Sequence, residues 1–381
     1  MPHSRTAFLA TSFALLFIFA WGCRGRLLEE TEEIGLVTYT GMCDASAAVA
    51  LDDATLLVAD DEKNVFGVYR ADPPGPPLET IRWDEPLAID PDNDEHPEAD
   101  VEGAAVLGDC IFWITSHGRN RDGKWRPNRH RFFAMRPVRG ANGLTFEPFG
   151  KPYRELALRL ADDPRLRELG FDDALGPEGK KAKKLAPKSA GLNIEGLAAM
   201  PDGRSLLIGF RNPRPGGKAV VTPLLNPTAV LAEGAAPEFG DPILLDLQAE
   251  FAGKSRKLGI RSLAFLDSLK CYLIVAGPHG EKKHFAIFRW SGKPEDQPKL
   301  LPRLTASVHR AGDFAPEALI VYPGGDKIQL LGDDGSRMVE VESAAECREG
   351  TFQDGQCEAK YLLDPERQTF RSFVFSMDEL R

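Results

Sequence analysis

Three phrases in this chain put a carboxylate at the same place in a recurring pattern. They are Asp100-Val101-Glu102-Gly103-Ala104, Asn193-Ile194-Glu195-Gly196-Leu197 and Ala315-Pro316-Glu317-Ala318-Leu319. Each is followed, one apolar stretch later, by a polar cluster: Ser116-His117-Gly118-Arg119-Asn120, Phe210-Arg211-Asn212-Pro213 and Gly332-Asp333-Asp334-Gly335. Two further units fit the same frame, with Ser46 and Arg261 in the place of the glutamate and Asp60-Asp61-Glu62 and Gly277-Pro278 as their closing clusters. Clustered carboxylates that are not neutralised repel one another and hold their protons more tightly, and basic partners or a divalent cation relieve this. Calcium takes oxygen ligands from several loops, which makes Asp60, Asp61, Asp333 and Asp334 candidate metal ligands. Glu102, Glu195 and Glu317 are candidates for acid–base work, with His117 as the candidate acid. Arg119, Arg211, Asn212 and Arg261 are candidates for holding an anionic ligand, since guanidinium groups recognise phosphate and carboxylate in a two-pronged manner. The competing account is a non-catalytic propeller in which the same residues form a structural ring of ion pairs, or ordinary turn residues. Signatures of serine hydrolases, zinc proteases, P-loops and dinucleotide sites are missing, and Ser116-His117 are adjacent in sequence and so do not form a dyad.

The elements that would position these residues are short strands. Each unit reads as two apolar strands joined by a tight Asp/Gly/Pro turn, such as Asp52-Asp53, Gly108-Asp109, Pro201-Asp202-Gly203 and Pro323-Gly324-Gly325, as hairpins require. A third strand follows in several units, for example Val65 to Tyr69 and His284 to Trp290. The start of one hairpin strand lies beside the end of its partner, so the glutamates and the closing clusters belong on one face. Repeated four-stranded units converging on one place predict an all-β fold, a β-propeller. Six blades are expected, with five or seven as alternatives. The sixth would be built from Ala359 to Leu363, Thr369 to Phe375 and the N-terminal Gly35 to Tyr39. A helical insertion is expected near residues 153–190, interrupted at Asp162-Asp163-Pro164.

Bulk composition agrees with a folded globular chain: 381 residues, 43% hydrophobic, 27% charged, with 36 glycines and 29 prolines for many turns. A net charge of −10 argues against nucleic-acid binding. The lysine run Lys180-Lys181-Ala182-Lys183-Lys184 is the local exception and reads as a solvated loop. Residues 1–22 read as a signal peptide, with Arg5 before an apolar stretch from Ala7 to Trp21 that falls short of the roughly 20 residues of a membrane span. Gly22-Cys23 at its end is similar to a lipoprotein box, so Cys23 is the expected lipidation site, with plain secretion as the alternative. Residues 23–34 then form a tether and residues 35–381 a single propeller domain. The protein is expected to be exported, periplasmic or anchored to the outer membrane of a bacterium by its lipid, and monomeric. Cys347 and Cys357 flank a turn-rich loop and are expected to form a disulfide, while Cys43, Cys110 and Cys271 read as buried thiols.

Taken in order, Asp60-Asp61-Glu62-Lys63-Asn64, Asp100-Val101-Glu102-Gly103, Ser116-His117-Gly118-Arg119-Asn120, Asn193-Ile194-Glu195-Gly196-Leu197 and Phe210-Arg211-Asn212-Pro213 resemble the bacterial family catalogued as domain of unknown function 3616. The resemblance covers nearly the whole of residues 37–377. That family is in turn distantly similar to propellers described as having esterase-like activity of phytase, which share a Glu-Gly-(Leu/Ile) motif. The resemblance implies a six- or seven-bladed propeller and, more remotely, calcium-assisted phosphoester hydrolysis. Glu102-Gly103 and Glu195-Gly196 match the motif, whereas Arg261-Ser262 and Glu317-Ala318 depart from it.

Overall fold

A computed structural model describes residues 35–140, 143–187, 190–278, 280 and 284–380. The expected signal peptide, the lipidation site Cys23 and the tether lie outside these residues. The described chain opens with β1 (Leu36–Thr40), which belongs to the last sheet to be completed. The first sheet is β2 (Ala45–Ala50), β3 (Thr55–Asp60), β4 (Val65–Arg70) and β5 (Glu79–Arg82). The second is β6 (Val101–Leu107), β7 (Cys110–Thr115), β8 (Phe132–Gly140) and β9 (Gly143–Tyr153). The third is β10 (Asn193–Ala199), β11 (Leu206–Asn212), β12 (Ala219–Leu224) and β13 (Ile243–Leu245). A separate hairpin, β14 (Gln248–Phe251) and β15 (Lys254–Lys257), precedes the fourth sheet. That sheet is β16 (Gly259–Leu266), β17 (Cys271–Gly277), β18 (Ala286–Trp290) and β19 (Lys299–Leu300). The last sheet begins with β20 (Pro316–Val321) and β21 (Lys327–Gly332). After the small hairpin of β22 (Met338–Glu340) and β23 (Gln356–Glu358), β24 (Thr369–Ser376) joins it, and β1 forms its outer edge.

The first strands of the five sheets are neighbours in a closed cycle, β2 to β6 to β10 to β16 to β20 and back to β2. A cycle of antiparallel four-stranded sheets joined through their innermost strands is the arrangement of a β-propeller. The expected sixth sheet does not form among the described residues. Residues 369–376 pair with β21, β1 pairs with β24, and Ala359–Tyr361 is a 3-10 turn. The two chain ends therefore share one sheet, with Tyr39 of β1 stacked on Phe370 of β24 at 4.9 Å and Tyr69 edge-on to Phe370 at 5.3 Å. Gln329 completes this closure, donating from Nε2 to Tyr39 Oη and Ser372 Oγ.

The helical insertion is present: α1 (Leu156–Asp162), α2 (Pro164–Arg167) and α3 (Phe171–Leu175). The break falls at Asp163-Pro164, where the Asp163 carboxylate caps α2 by accepting from the backbone of Arg165 and Leu166. Leu156, Leu160, Leu166 and Phe171 pack into the core with Phe112, Ile194 and Phe210 of the second and third sheets. Two further helices, α4 (Pro227–Glu233) and α5 (Pro302–Arg310), pack along the outside. The described cysteines are free thiols. Cys347 and Cys357 are brought together in one small buried cluster, as expected, but as free thiols; burial and then the neighbouring Cys347 thiol push Cys357 up to about 12.

Removing the Phe370 ring takes away its contacts with Tyr39 and Tyr69 and leaves a cavity. Phe370→Ala is expected to lower unfolding stability by about 3–5 kcal/mol, measured by urea unfolding followed by tryptophan fluorescence.

Candidate functional site

The repeated polar position has a single structural cause. In every innermost strand the ladder to the second strand slips by one residue. The slip falls at Ala45/Ala47, Val101/Gly103, Ile194/Gly196, Ile260/Ser262 and Pro316/Ala318. The extra residues are Ser46, Glu102, Glu195, Arg261 and Glu317, the repeated set. A β-bulge inserts one unpaired residue and re-aims its side chain, which lets a charged group stand in an otherwise apolar strand without entering the core. All five line one cavity of about 280 Å³. The second strands contribute Asp61, Arg211 and Asp333, each one step beyond the residue paired before the bulge.

On one side of the cavity the charges are matched. Glu195, 1% exposed, accepts at Oε1 from Asn193 Nδ2 (2.6 Å), Arg211 Nη1 (2.7 Å) and Arg261 Nη1 (3.0 Å). Arg261 reaches onward to Glu317 through Nη2, so one guanidinium ties the third, fourth and fifth sheets together. Burial, then the neighbouring Arg211, pull Arg261 down to about 10, which leaves it charged at neutral pH. The Asn193 amide nitrogen must face the Glu195 carboxylate. Its Oδ1 is therefore turned away, and it is buried without a hydrogen-bond partner, as is Glu317 Oε2.

On the other side carboxylates crowd together. Asp61 belongs to two groups whose ligand oxygens lie within 4.8 Å of one another: Asp44, Asp60 and Asp61, and Asp61, Asp100 and Glu102. Asp61 Oδ1 is shielded from solvent with no hydrogen-bond partner. Burial, and then Asp44 and Glu102, raise the Asp61 carboxyl far above the usual range. Burial followed by Glu195 and Asp100 does the same to Glu102. Asp44 is pushed up to about 7 by burial, Asp333 and Asp60, and Glu98 to about 8 by burial and Asp100. Arg129 offsets part of this, contacting Glu98 and lying 2.9 Å from Asp100 Oδ2. The lining holds eight carboxylates (Asp61, Glu62, Glu98, Asp100, Glu102, Glu195, Glu317, Asp333) against four arginines (Arg121, Arg129, Arg211, Arg261).

Several residues expected at the site are placed elsewhere. His117 is buried outside the lining, with Nδ1 2.8 Å from the Thr115 carbonyl; burial drives its pKa down to about 4, so the ring is neutral at pH 7, with its one N–H given to that carbonyl. Arg119 is also buried away from the cavity, donating to the carbonyls of Leu175, Pro177 and Lys180. Asn212 donates to the Pro187 carbonyl. Asp334 receives Arg371 at 2.8 Å (Nε) and 2.5 Å (Nη2). Asp60 lies behind Asp61, accepting from the Glu62 backbone. Strand alternation is the physical reason for Asn212 and Asp334, each of which neighbours a lining residue and points the other way; Asp60 leaves the lining but keeps an oxygen within 4.8 Å of those of Asp44 and Asp61. Asp44, Glu98, Arg129 and Asn193 were not singled out from the sequence. Asp44, Asp100 and Asn193 each stand two residues before the bulged position, and that offset was the available signal.

No family model matches the chain, and no curated protein matches it. Among solved structures, the chain is similar to the PQQ-bound aldose sugar dehydrogenase of Streptomyces coelicolor (12% identity, 89% of this chain and 98% of that one, TM-score 0.39). It is also similar to the glutaminyl cyclase of Myxococcus xanthus (11%, 77% and 88%, TM-score 0.37) and to the WD40 repeats of RRP9 (10%, 90% and 97%, TM-score 0.36). At these values the likenesses say nothing of activity, and the architecture rests on the sheets themselves.

Two outcomes follow from the charges. Glu195→Gln removes the anion that three donors share and leaves Arg211 and Arg261 under-compensated in a buried position; a loss of about 3–5 kcal/mol is expected, measured by chemical unfolding. The raised carboxyls hold protons in the folded state that the unfolded chain has already released at pH 6.5. Their contribution to stability therefore falls as pH rises through the folded pKa values. His117 and His130, both depressed, act in the opposite sense only below about pH 6.5, where unfolded histidine gains its proton. In chelator-treated protein, the melting temperature is expected to fall between about pH 6.5 and 8, checked by calorimetry at constant ionic strength.

Proposed function

We propose that this protein is an exported binding propeller of five blades whose central mouth holds a hard divalent cation, calcium first among them, and takes a small anionic ligand through that cation. The observation that carries the reading is Asp61 Oδ1, shut away from water without a donor at the corner shared by two carboxylate triads. A buried carboxylate oxygen left without a donor is costly, and a cation removes both that cost and the repulsion among its neighbours. The donor set fits calcium, which accepts six to eight oxygens at flexible geometry. Asp61, Asp100 and Glu102 would hold the ion, with Asp44 and Asp60 behind them.

The anion-binding role expected of Arg211 and Arg261 changes form under this reading. Their guanidinium groups already pair with Glu195 and Glu317, so a bare anion entering the mouth would compete with internal carboxylates. A bound cation reverses the sign of the field on the opposite wall and gives an anionic group an attractive partner. The ion-pair half then serves as the rigid frame. Phosphoester hydrolysis, the remote implication of the sequence resemblance, gains no support from the position of His117, and binding is the activity the geometry favours.

Calcium titration of chelator-treated protein tests this. At about 100 times its dissociation constant, calcium should stabilise the native state by about 2.7 kcal/mol, seen as a melting-temperature rise. Asp61→Asn should abolish the rise while making the cation-free protein more stable, because a neutral amide relieves the burden that burial and the neighbouring Asp44 and Glu102 place on this carboxyl. No response to calcium, magnesium or manganese, or an unchanged response in Asp61→Asn, would overturn the reading.

A further inference from the structure

The lysines of the run are exposed, as its composition suggests, but the loop that carries them is anchored to the rest of the chain. Arg119, 3% exposed, drives its guanidinium into the loop after α3 and donates to the carbonyls of Leu175 (3.0 Å), Pro177 (2.7 Å) and Lys180 (2.5 Å). The Gly123 carbonyl receives Ala182 N at 2.8 Å. The backbones meet so closely that a Cβ on Gly123 would stand 2.2 Å from the Ala182 oxygen. Lys183 closes the seam, donating to the Arg121 carbonyl (2.9 Å) and the Asp122 carboxylate (3.1 Å). Two stretches some sixty residues apart in sequence are thus clamped into one lobe. It presents the exposed cations Arg121, Lys124, Lys180, Lys181, Lys183 and Lys184, with Asp122 and Glu178 as nearby acids. A loop with no task beyond solubility does not require a buried guanidinium and a glycine-only contact to hold it.

The lobe also has a defined place. Arg121 belongs both to it and to the cavity lining, and Pro187, at the end of the lysine loop, lines the cavity as well. In a chain of net charge −10, a concentrated positive patch at the rim of an acidic mouth sets up a local field that selects by charge and by shape. A broad anionic surface pressed against this rim would meet Glu62 and Glu98 at the same time. A narrow, flexible polyanion would not, since it can lie along the lobe and send one end into the mouth.

We propose that the Arg119-clamped lobe is a docking surface for an extended soluble polyanion carrying several phosphate groups, whose terminal group reaches the central cavity. This rests on the cation reading of the mouth only for that last contact. Binding to the lobe itself depends on lysine and arginine side chains, so it should weaken steeply with salt, as counterion release requires.

The test uses the full chain with three probes: a short linear polyphosphate, orthophosphate, and phosphatidylglycerol vesicles. Polyphosphate is expected to bind and orthophosphate to bind far more weakly. Polyphosphate affinity should fall at least tenfold between about 50 and 200 mM salt. The triple variant Lys180→Gln, Lys181→Gln, Lys184→Gln, which touches no cavity residue, should lose at least tenfold in polyphosphate affinity and keep the calcium-induced rise in melting temperature. Equal binding by the triple variant, no binding of polyphosphate, or binding of vesicles in preference to polyphosphate overturns the lobe. Polyphosphate binding that survives while calcium leaves the protein unchanged supports the lobe and overturns the reading of the mouth.

Discussion

The bulge in each innermost strand is the constraint on which the rest of the structure depends. A regular strand has a two-residue period, and both of its faces here are committed to packing between neighbouring sheets. A glutamate within Asn193–Ala199 would then have to enter the core or displace an apolar neighbour. The extra residue of the bulge escapes that choice. It leaves the ladder and points toward the ring axis, while Ile194 and Leu197 remain buried. Repetition of the device in five sheets collects five side chains at one place without any sheet giving up its core. The tight approach of adjacent innermost strands follows from the same geometry: a Cβ on Gly103 would stand 3.0 Å from the Leu197 nitrogen.

Convergence makes electrostatics the next problem, and the two halves of the ring answer it differently. In the half formed by the third, fourth and fifth sheets, Arg261 bridges Glu195 and Glu317 while Arg211 pairs with Glu195, and the desolvation of each charge is offset by an opposite charge in contact. In the half formed by the first and second sheets, Asp44, Asp61 and Glu102 face one another with Arg129 as their nearby counter-charge, partly occupied by Glu98 and Asp100. Their carboxyls respond by holding protons. The first half behaves as framework. The second stores repulsion that any bound cation would relieve, and such sites couple ligand binding to stability.

The sequence revealed the repeat because the bulged residue is polar in an apolar strand, a contrast visible without coordinates. It misplaced neighbours by one step. Asp60 and Asp61, Arg211 and Asn212, and Asp333 and Asp334 are adjacent pairs at strand ends, where composition does not say which member faces inward; the register at the bulge decides it. Arg119 and His117 looked like site residues because they follow the same strand end, yet in the second sheet Ser116 holds the register step of Asp61, Arg211 and Asp333, His117 bonds back to the Thr115 carbonyl, and Arg119 holds the loop after α3. The count of sheets was hidden for a different reason. Residues 36–40 and 369–376 are each credible beginnings of a new sheet, and only long-range pairing shows that both belong with β20 and β21. The Arg119 clamp was beyond sequence reasoning altogether, since its acceptors are backbone carbonyls with no side-chain signature.

Two of the positions where the repeat carries no large polar group, Gly277 and Ser46, complete the logic of the ring. Gly277 occupies in the fourth sheet the step taken by Asp61, Arg211 and Asp333 elsewhere. A Cβ there would lie 2.9 Å from Arg261 Cγ, so glycine leaves the passage through which Arg261 spans Glu195 and Glu317. Ser46 takes the bulged position in the first sheet, and its hydroxyl is spent on the Val101 carbonyl at 2.5 Å. A glutamate at that position would add a further charge beside Asp61 and Glu102, in the half where carboxylates already outnumber their counter-charges. A small residue instead ties the first innermost strand to the second and leaves the space between their carboxylates open. The asymmetry of the ring is therefore set by its smallest members: glycine lets the cations close one side, and serine keeps the other side free for a ligand.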